Sequence, residues 1–284
     1  MRIAIGTCKK LPEPDPDQQL LLDALSRAGA DPLLLAWDDD APIPTDLDCC
    51  VLRSTWDYYR DPPRFLSWVD AVANVTALFN PRDIVRWNHH KRYLDELKND
   101  GLRVVPTAFV SKGEPTSLEQ CMNDHGWDDV VVKPSVSAAS FRTKRFTRHE
   151  MAEGEQFLAE LGAVRDCMVQ RYMPEVDHSG ERSLVWIDGQ LTHAIRKDPR
   201  FAGHDERVSE ALTPTSEEQA FTEKAMQRAA SQCLYARIDV VRDDDGELAL
   251  SELELIEPSL FLLQHPPALD RLVNAMMTNA ASSA

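Results

Sequence analysis

Short apolar runs alternate with amphipathic stretches over the first eighty residues of the chain. Residues 3–6 predict a strand, and residues 20–28 predict a helix whose apolar positions share one face before a glycine ends it. Residues 33–36 and 49–52 are continuously apolar, which is typical of strands covered on both faces. Because the chain alternates strand, helix and strand, we predict a small parallel sheet that ends near Asn80.

The next stretch has the same alternation with longer polar connections. Residues 91–99 predict a helix, residues 130–133 a strand, and residues 149–161 a second helix. Between them, residues 135–140 are small and mostly polar, a composition that favours a mobile loop.

The last part of the chain is dominated by two predicted hairpins. Two apolar strands flank Asp188-Gly189, a dipeptide that strongly favours a two-residue turn. A long helix is predicted over residues 217–232, and a second hairpin then turns at residues 243–246. The sequence thus predicts an α/β fold with α+β lobes, divided into residues 1–85, 86–172 and 173–284.

The second hairpin brings charged residues together. If its turn is symmetric about residues 244 and 245, Arg237 lies opposite Glu252 and Asp239 lies opposite Leu250. Side chains alternate between the two faces of a strand, so these charged residues and Glu254 share one face. We therefore predict a charged face with several carboxylates beside one arginine.

This face has two interpretations, and the sequence leaves both open. Three or four converging carboxylates repel each other unless a cation lies between them, and Glu257 follows at the strand end. Hard oxygen ligands of this kind suit magnesium or manganese. The alternative is a solvated acidic face with a cross-strand ion pair between arginine and glutamate.

Two lysines and one strand exit are candidates for a phosphate and nucleotide site. Lys133 ends an apolar strand just before the small polar loop, where it can reach phosphate oxygens or simply face solvent. Lys91 begins a predicted helix, an unfavourable place for a cation. Residues 170–173 leave a strand with exposed backbone groups that can pair with an adenine edge.

Composition excludes several classes of protein. The chain has 284 residues, of which 43% are hydrophobic and 27% charged, with a formal net charge of −16. Such an acidic chain without a basic stripe does not predict a nucleic-acid binder, nor binding to an anionic membrane. Its six cysteines have no C-x-x-C spacing, and we expect reduced thiols in a cytoplasmic protein. No Walker P-loop, G-x-S-x-G or H-E-x-x-H motif is present.

Six segments in order resemble the ATP-grasp superfamily of ligases. They are Asn88-His89-His90-Lys91-Arg92-Tyr93-Leu94, Val131-Val132-Lys133-Pro134, Val169-Gln170-Arg171-Tyr172-Met173, Gly180-Glu181, Ala236-Arg237-Ile238-Asp239 and Glu252-Leu253-Glu254-Leu255-Ile256-Glu257-Pro258. The resemblance covers essentially the whole chain and implies an ATP-grasp fold after a Rossmann-like pre-grasp domain. The chain departs from the usual Glu-x-Asn ending, and its phosphate loop lacks the frequent glycines.

The resemblance also implies cofactors and residue roles. ATP would be bound through its phosphates and base by Lys91, Lys133, Ser137, Gln170, Arg171, Tyr172 and Met173, with Glu181 on the ribose. Arg237 would steady the phosphates during catalysis. Magnesium, or manganese in its place, would be bound by Asp239, Glu252, Glu254 and Glu257.

Within the superfamily, the chain is similar to a bacterial subgroup that closes the ring of D-cycloserine from O-ureido-D-serine. The likeness rests on residues 53–58, 86–88 and 252–260 and on the acidic, proline-rich segment 12–17. It implies a small amino-acid-like substrate and leaves a homodimer open. Residues 203–208 and the lack of a Gly-Gly pair depart from the subgroup.

The subgroup resemblance suggests where the substrate lies. Arg53, Thr55 and Asp57 would meet it together with Ser54 and Trp56, and Lys197 and Arg207 would line the same cavity with catalytic roles. The alternative is a strand-to-helix connection in which Trp56 only packs. Two other functions stay open: a ligase joining an amino acid to a separate amine or peptide, and a nucleotide-binding module without catalysis.

Overall fold

Three four-stranded sheets form the protein in a computed structural model that describes residues 1–198 and 207–283. Two 3₁₀ helices accompany these elements, at Tyr58–Arg60 and Arg148–Glu150. In chain order the strands and α-helices are β1 (Arg2–Thr7), α1 (Gln18–Arg27), β2 (Asp31–Ala36), β3 (Cys49–Ser54), α2 (Pro62–Val75), β4 (Ala77–Phe79), α3 (Arg82–Asn88), α4 (Tyr93–Asn99), β5 (Thr107–Val110), α5 (Leu118–His125), β6 (Asp129–Pro134), β7 (Lys144–Thr147), α6 (Met151–Gly162), β8 (Cys167–Arg171), α7 (Val176–Ser179), β9 (Glu181–Ile187), β10 (Gln190–Lys197), α8 (Ser216–Ala225), β11 (Tyr235–Arg242), β12 (Leu248–Glu254) and α9 (Pro266–Ser283).

The first sheet is parallel, as the sequence predicts, with the order β2-β1-β3-β4. Strand β3 is buried along its whole length, which confirms its prediction as a strand covered on both faces. The same prediction is wrong for β2, where Leu34 is 45% exposed. This strand forms the edge of the sheet, and an apolar run cannot distinguish an edge strand from a central one.

The second sheet is antiparallel, with the order β5-β8-β6-β7. Helices α5 and α6 cover one of its faces through a core that includes Met122, Phe146 and Leu158. The predicted helix over residues 149–161 is present, but its first turn is a 3₁₀ helix capped by Thr147 and Glu150. Lys133 and the loop 135–143 lie where β6 leaves this sheet.

The third sheet has the order β10-β9-β11-β12 and contains both predicted hairpins. The first hairpin turns at Asp188 and Gly189, whose φ angles of 47° and 81° define a two-residue turn of the expected kind. The helix predicted for residues 217–232 is too long, because α8 ends at Ala225 and residues 226–232 continue in turns with i to i−3 and i−4 hydrogen bonds.

The register predicted for the second hairpin is wrong by two residues. Arg237 lies opposite Glu254, and Asp239 lies opposite Glu252. The turn is longer than expected, because it closes with a bond from the Asp243 amide to the Glu247 carbonyl at 2.9 Å, and the pairing shifts again after Asp239. A register shift of two residues keeps each side chain on the same face of the sheet, so the four charged residues still share one face.

Contacts between distant segments hold the three sheets together. Helix α9 packs against α1 and strand β9, and Leu25, Val185 and Leu269 share one core cluster. Helix α4 packs its apolar side against the third sheet, since Leu94 and Ile238 belong to the same cluster. All six cysteines are free, as predicted, and all six are buried. No helix among the described residues has the length and apolar character needed to cross a membrane.

We expect the buried His193 on β10 to make stability depend on pH. Burial lowers its pKa to about 4, so the folded protein keeps the ring neutral while the unfolded chain binds a proton near pH 6.5. Stability from this source is therefore complete above pH 6.5 and is lost as the pH falls toward 4, by on the order of 2–3 kcal/mol. Urea unfolding of wild type and His193→Asn between pH 7.5 and 4.5 measures it, and the variant should show the smaller fall. Parallel curves for the two proteins would refute the assignment.

Candidate functional site

A cavity of about 260 Å³ lies where the three sheets meet. Side chains from all three lobes line it, including Tyr58 from the first, Val131 from the second and Leu253 from the third. Most of the predicted site residues also line it: Trp56, Lys91, Lys133, Ser137, Gln170, Arg171, Tyr172, Met173, Glu181, Lys197, Arg237, Asp239, Glu252, Glu254 and Glu257. The structure therefore brings the predicted nucleotide, metal and phosphate residues into one cleft.

Arg237 is the centre of a charged network on the third sheet. Its guanidinium donates to both oxygens of Asp239, with Nε–Oδ1 and Nη2–Oδ2 distances of 2.9 Å, and it also bonds to Glu254. Lys197 reaches Asp239 Oδ2 at 2.9 Å and Glu181 Oε1 at 2.6 Å. Although burial opposes ionisation, Arg237 and Lys197 hold the pKa of Asp239 well below its usual range.

The two candidate phosphate lysines differ in their partners. Lys91 Nζ forms an ion pair with Glu252 Oε1 at 2.8 Å and donates to the Ser137 carbonyl at 3.1 Å. Lys133 forms no ion pair with any residue that the structure describes, and burial lowers its pKa. Lys91 lies two residues ahead of α4, and its backbone amide donates to Ser135, so it does not open that helix. Because no described carboxylate pairs with Lys133, its ammonium donors are available to an anion.

Two glutamates in the cleft hold protons unusually strongly. Burial, followed by the charge of Glu252 and Asp239, raises the pKa of Glu254 to about 7 despite the nearby Arg237. Burial and Glu254 raise the pKa of Glu257 well above its usual range. A cation placed among these carboxylates would relieve their repulsion and favour their ionised forms.

The donor set fits a hard divalent cation that is shared with a phosphate ligand. Within residues 1–198 and 207–283, no three histidine, cysteine or carboxylate groups have the geometry to bind a metal alone. Magnesium, however, commonly takes only one or two protein carboxylates and completes its shell with phosphate oxygens and water. Asp239 and Glu252 lie on paired positions of β11 and β12, so this arrangement fits magnesium that arrives with a nucleotide.

The predicted adenine linker joins the second and third lobes. The backbone amides of Arg171 and Tyr172 donate within the second lobe, to Pro106 at 2.8 Å and Asp129 at 2.9 Å. The Arg171 side chain forms an ion pair with Asp244 in the hairpin turn. These contacts fix the linker along one wall of the cavity.

The predicted substrate residues 53–57 are mostly engaged with other protein groups. Arg53 donates to the Pro258 carbonyl at 2.7 Å, and Trp56 donates to the Glu257 carbonyl at 2.8 Å. Asp57 accepts from Trp37 at 2.7 Å, and Ser54 lies 3.0 Å from Thr7. Of the turn, only Trp56 lines the cavity. The bonds of Arg53 and Trp56 join the first lobe to the segment that follows β12.

Two polar atoms of this turn retain hydrogen-bonding capacity. Arg53 Nη1 and Thr55 Oγ1 are buried and have no partner among the residues described. Arg207 lies outside the cavity lining and is exposed at the start of the second described range. Residues 203–208, where the sequence departs from the subgroup, lie mostly outside the described residues, because residues 199–206 are not described. A substrate role for the turn and for Arg207 stays a prediction.

Residues without a predicted site role fix the outer edge of β12. Asn88 donates to the Leu253 carbonyl and accepts from the Leu255 amide, both at 2.8 Å, and Tyr93 accepts from the Leu253 amide at 3.0 Å. Ser251 donates to Glu181 at 2.8 Å. A buried asparagine of this kind has no periodic signal, because its partners lie about 165 residues away in the chain.

Comparison with solved structures defines the class of protein. The structure of the ATP-grasp ligase PsnB complexed with minimal precursor, Mg and ADP has a TM-score of 0.63 and 16% identity and covers 97% of this chain and 98% of its own. A likeness at this identity shows the fold. The protein has the ATP-grasp fold. Its similarity along most of the chain to a cycloserine biosynthesis protein shows further that it is an enzyme, a ligase that forms C–N bonds.

One relative within this class is similar along nearly the whole chain. Residues 3–80 match the model of the D-cycloserine synthetase DcsG N-terminal domain. The cycloserine biosynthesis protein DcsG of Streptomyces lavendulae is 29% identical over 266 residues, covering 87% of this chain and 88% of its own. The crystal structure of D-cycloserine synthetase DcsG has a TM-score of 0.89 and 26% identity and covers 99% of this chain and 100% of that one.

Proposed function

We propose that the protein uses ATP to activate a carboxylate as an acyl phosphate and then closes a ring within O-ureido-D-serine to give D-cycloserine. The observation that supports this most is the cleft in which Lys91, Lys133 and Arg237 face Asp239 and Glu252. Phosphoryl transfer requires positive groups around the transferred phosphoryl and a metal that neutralises its charge. The similarity to DcsG along most of the chain supports the choice of substrate.

The charged residues divide into a phosphate end and a metal end. Lys133 has no ion pair among the described residues and is therefore ready to bind phosphate oxygens. Lys91 would exchange or share its contact with Glu252 when the nucleotide arrives. Magnesium would be held by one or two of Asp239, Glu252 and Glu254, with phosphate oxygens and water completing its shell, and it would neutralise charge on the phosphates.

The chemistry follows from the weak reactivity of a carboxylate. A carboxylate oxygen attacks the γ-phosphorus, the bond to the ADP oxygen breaks, and ADP leaves. The oxygen-bound nitrogen of the same molecule then forms a bond to the carbonyl carbon, loses a proton, and displaces inorganic phosphate. The carbamoyl group on this nitrogen must also leave to give D-cycloserine, and its hydrolysis by water releases carbon dioxide and ammonia. Because the nitrogen and the acyl phosphate belong to one substrate, holding that substrate folded supplies a high effective concentration.

Ring formation and ADP release, measured together, test this function. The purified protein with ATP, magnesium and O-ureido-D-serine should release one ADP for each ring formed. Chromatography of the product measures ring formation. D-serine, which lacks the ureido nitrogen, is the control and should give no cyclic product. ADP release only with an added amine or peptide would show a ligase that joins two molecules. Nucleotide binding without turnover on any amino-acid derivative would show a binding module.

A further inference from the structure

The loop between β6 and β7 has a backbone that its own sequence does not favour. Ala139, Ser140 and Arg142 have φ angles of 50°, 54° and 48°, in the left-handed region that residues with a side chain rarely adopt. These three residues flank Phe141 on both sides. Because such angles are unfavourable, contacts outside the loop backbone must stabilise this conformation.

One of these contacts is an aromatic stack that joins the loop to the first lobe. The rings of Phe141 and Tyr59 stack with centroids 4.2 Å apart and an interplanar angle of 24°. Arg165 of the second lobe places its guanidinium 5.2 Å from the Phe141 centroid. Val136 and Ala138 of the same loop also pack against the core of the first lobe.

The stack does not belong to the interior of either lobe. Tyr59 is only 7% exposed, yet within the described residues neither it nor Phe141 is a member of a hydrophobic core cluster. The two rings therefore cover each other across the interface between the lobes. Tyr59 lies in the 3₁₀ helix Tyr58–Arg60, which directly follows the turn at residues 53–57.

The position of the loop gives this contact a functional meaning. Ser137, Ala138, Ala139, Ser140 and Thr143 line the cavity beside Lys133, where the proposed function places the ATP phosphates. A loop held here excludes water from the phosphates. With the loop displaced, a water oxygen can bond to the γ-phosphorus as the ADP oxygen leaves, which gives ADP, inorganic phosphate and a proton without product.

We propose that the Tyr59–Phe141 stack is an interlobe clasp that holds the phosphate loop closed and couples ATP consumption to product formation. The inference rests on the proposed function for the identity of the phosphate ligand. Tyr59 and Phe141 are positioning residues, because they act through the loop and have no contact with the reacting groups. The clasp links the loop beside Lys133 to the turn at residues 53–57. The loop therefore closes fully only when this turn holds Tyr59 in its position against Phe141.

Kinetics on Tyr59→Ala, Phe141→Ala and the double variant test the clasp. Each single variant should lower kcat/KM for ATP by up to about tenfold and release more ADP than it forms ring. The double variant should resemble either single variant, because both substitutions remove one interaction. Tyr59→Phe and Phe141→Tyr keep both rings and should restore the wild-type ratio of ring to ADP. Additive losses in the double variant, or an unchanged ratio in the single variants, would overturn the proposal.

A second measurement does not depend on the substrate. Arg142 and Lys144 are trypsin sites in or next to the loop, and limited digestion with a non-hydrolysable ATP analogue reports whether the loop is closed. The two alanine variants should be cleaved there about tenfold faster than wild type. Phe221→Ala removes another half-buried phenylalanine, on α8, and should behave as wild type. Cleavage of the clasp variants at the wild-type rate would contradict the clasp, even if the protein proves to use another substrate.

Discussion

Replacement of Glu254 by alanine is expected to lower ADP formation by about 10²–10³-fold while the protein stays folded. Glu254 is half-buried in the cleft, bonds to Arg237, and lies among carboxylates that repel it. If Glu254 binds magnesium, as we propose, its loss removes a metal ligand, and it also frees the guanidinium that orients Asp239. Steady-state ADP release over a magnesium titration measures the effect, and half-saturation should move to higher magnesium.

Two further variants separate the possible causes of this loss. Glu254→Gln keeps a hydrogen-bond acceptor for Arg237 but removes the negative charge, so it should be nearly as inactive as the alanine variant if the charge binds metal. Glu247→Ala, on the exposed turn of the same hairpin, should retain wild-type activity. Near-normal ADP formation by Glu254→Ala at limiting magnesium would show that the metal assignment is wrong.

Replacement of Glu254, which should lower activity, should not lower the stability of the folded protein at high pH. The pKa of Glu254 is raised to about 7 in the folded protein, so its contribution to stability is complete below the unfolded pKa of about 4.5 and is lost as the pH rises through 7. At pH 8 the Tm of Glu254→Gln should therefore be no lower than that of wild type. A cluster that is unfavourable for stability and kept in a cleft is typical of a functional site.

Lys133→Ala is expected to weaken ATP binding by about 1.5–3 kcal/mol, or roughly ten- to 150-fold. Of the two candidate phosphate lysines, Lys133 is the one without an ion pair among the described residues, so its donors would be available to a nucleotide. Titration calorimetry with a non-hydrolysable ATP analogue measures the affinity directly.

The matched control is Lys112→Ala, which removes an exposed lysine from the same lobe. It should bind the analogue as tightly as wild type, and both variants should unfold at the same temperature within a few degrees. Equal affinities for the two variants would mean that Lys133 does not contact the phosphates.

The charged face shows how far a local pattern reaches. Side chains alternate with a period of two along a strand, so the sequence alone places Arg237, Asp239, Glu252 and Glu254 on one face. It does not fix the partners, because the register depends on the length of the turn and on the irregularity after Asp239. The error of two residues left the site intact, whereas an error of one would have dispersed it.

The first lobe shows where local pattern fails. An apolar run predicted both β2 and β3 correctly as strands, but the position of β2 at the sheet edge depends on which strands pair with it. The fold also directs one guanidinium nitrogen of Arg53 to the Pro258 carbonyl, 205 residues away, while the substrate role that the resemblance implies for Arg53 stays a prediction. Such contacts have no local signal.

The sequence by itself determined the alternating strands and helix of the first sheet, both hairpins of the third sheet, and the charged face of the second hairpin. These properties depend on periodicity and on residue type within short stretches of chain. Only the tertiary structure decided which cation neutralises which carboxylate, how Asn88 holds the edge of β12, and how Tyr59 meets Phe141. These contacts join residues from different lobes, and they depend on the packing of whole sheets and helices, which no short stretch encodes.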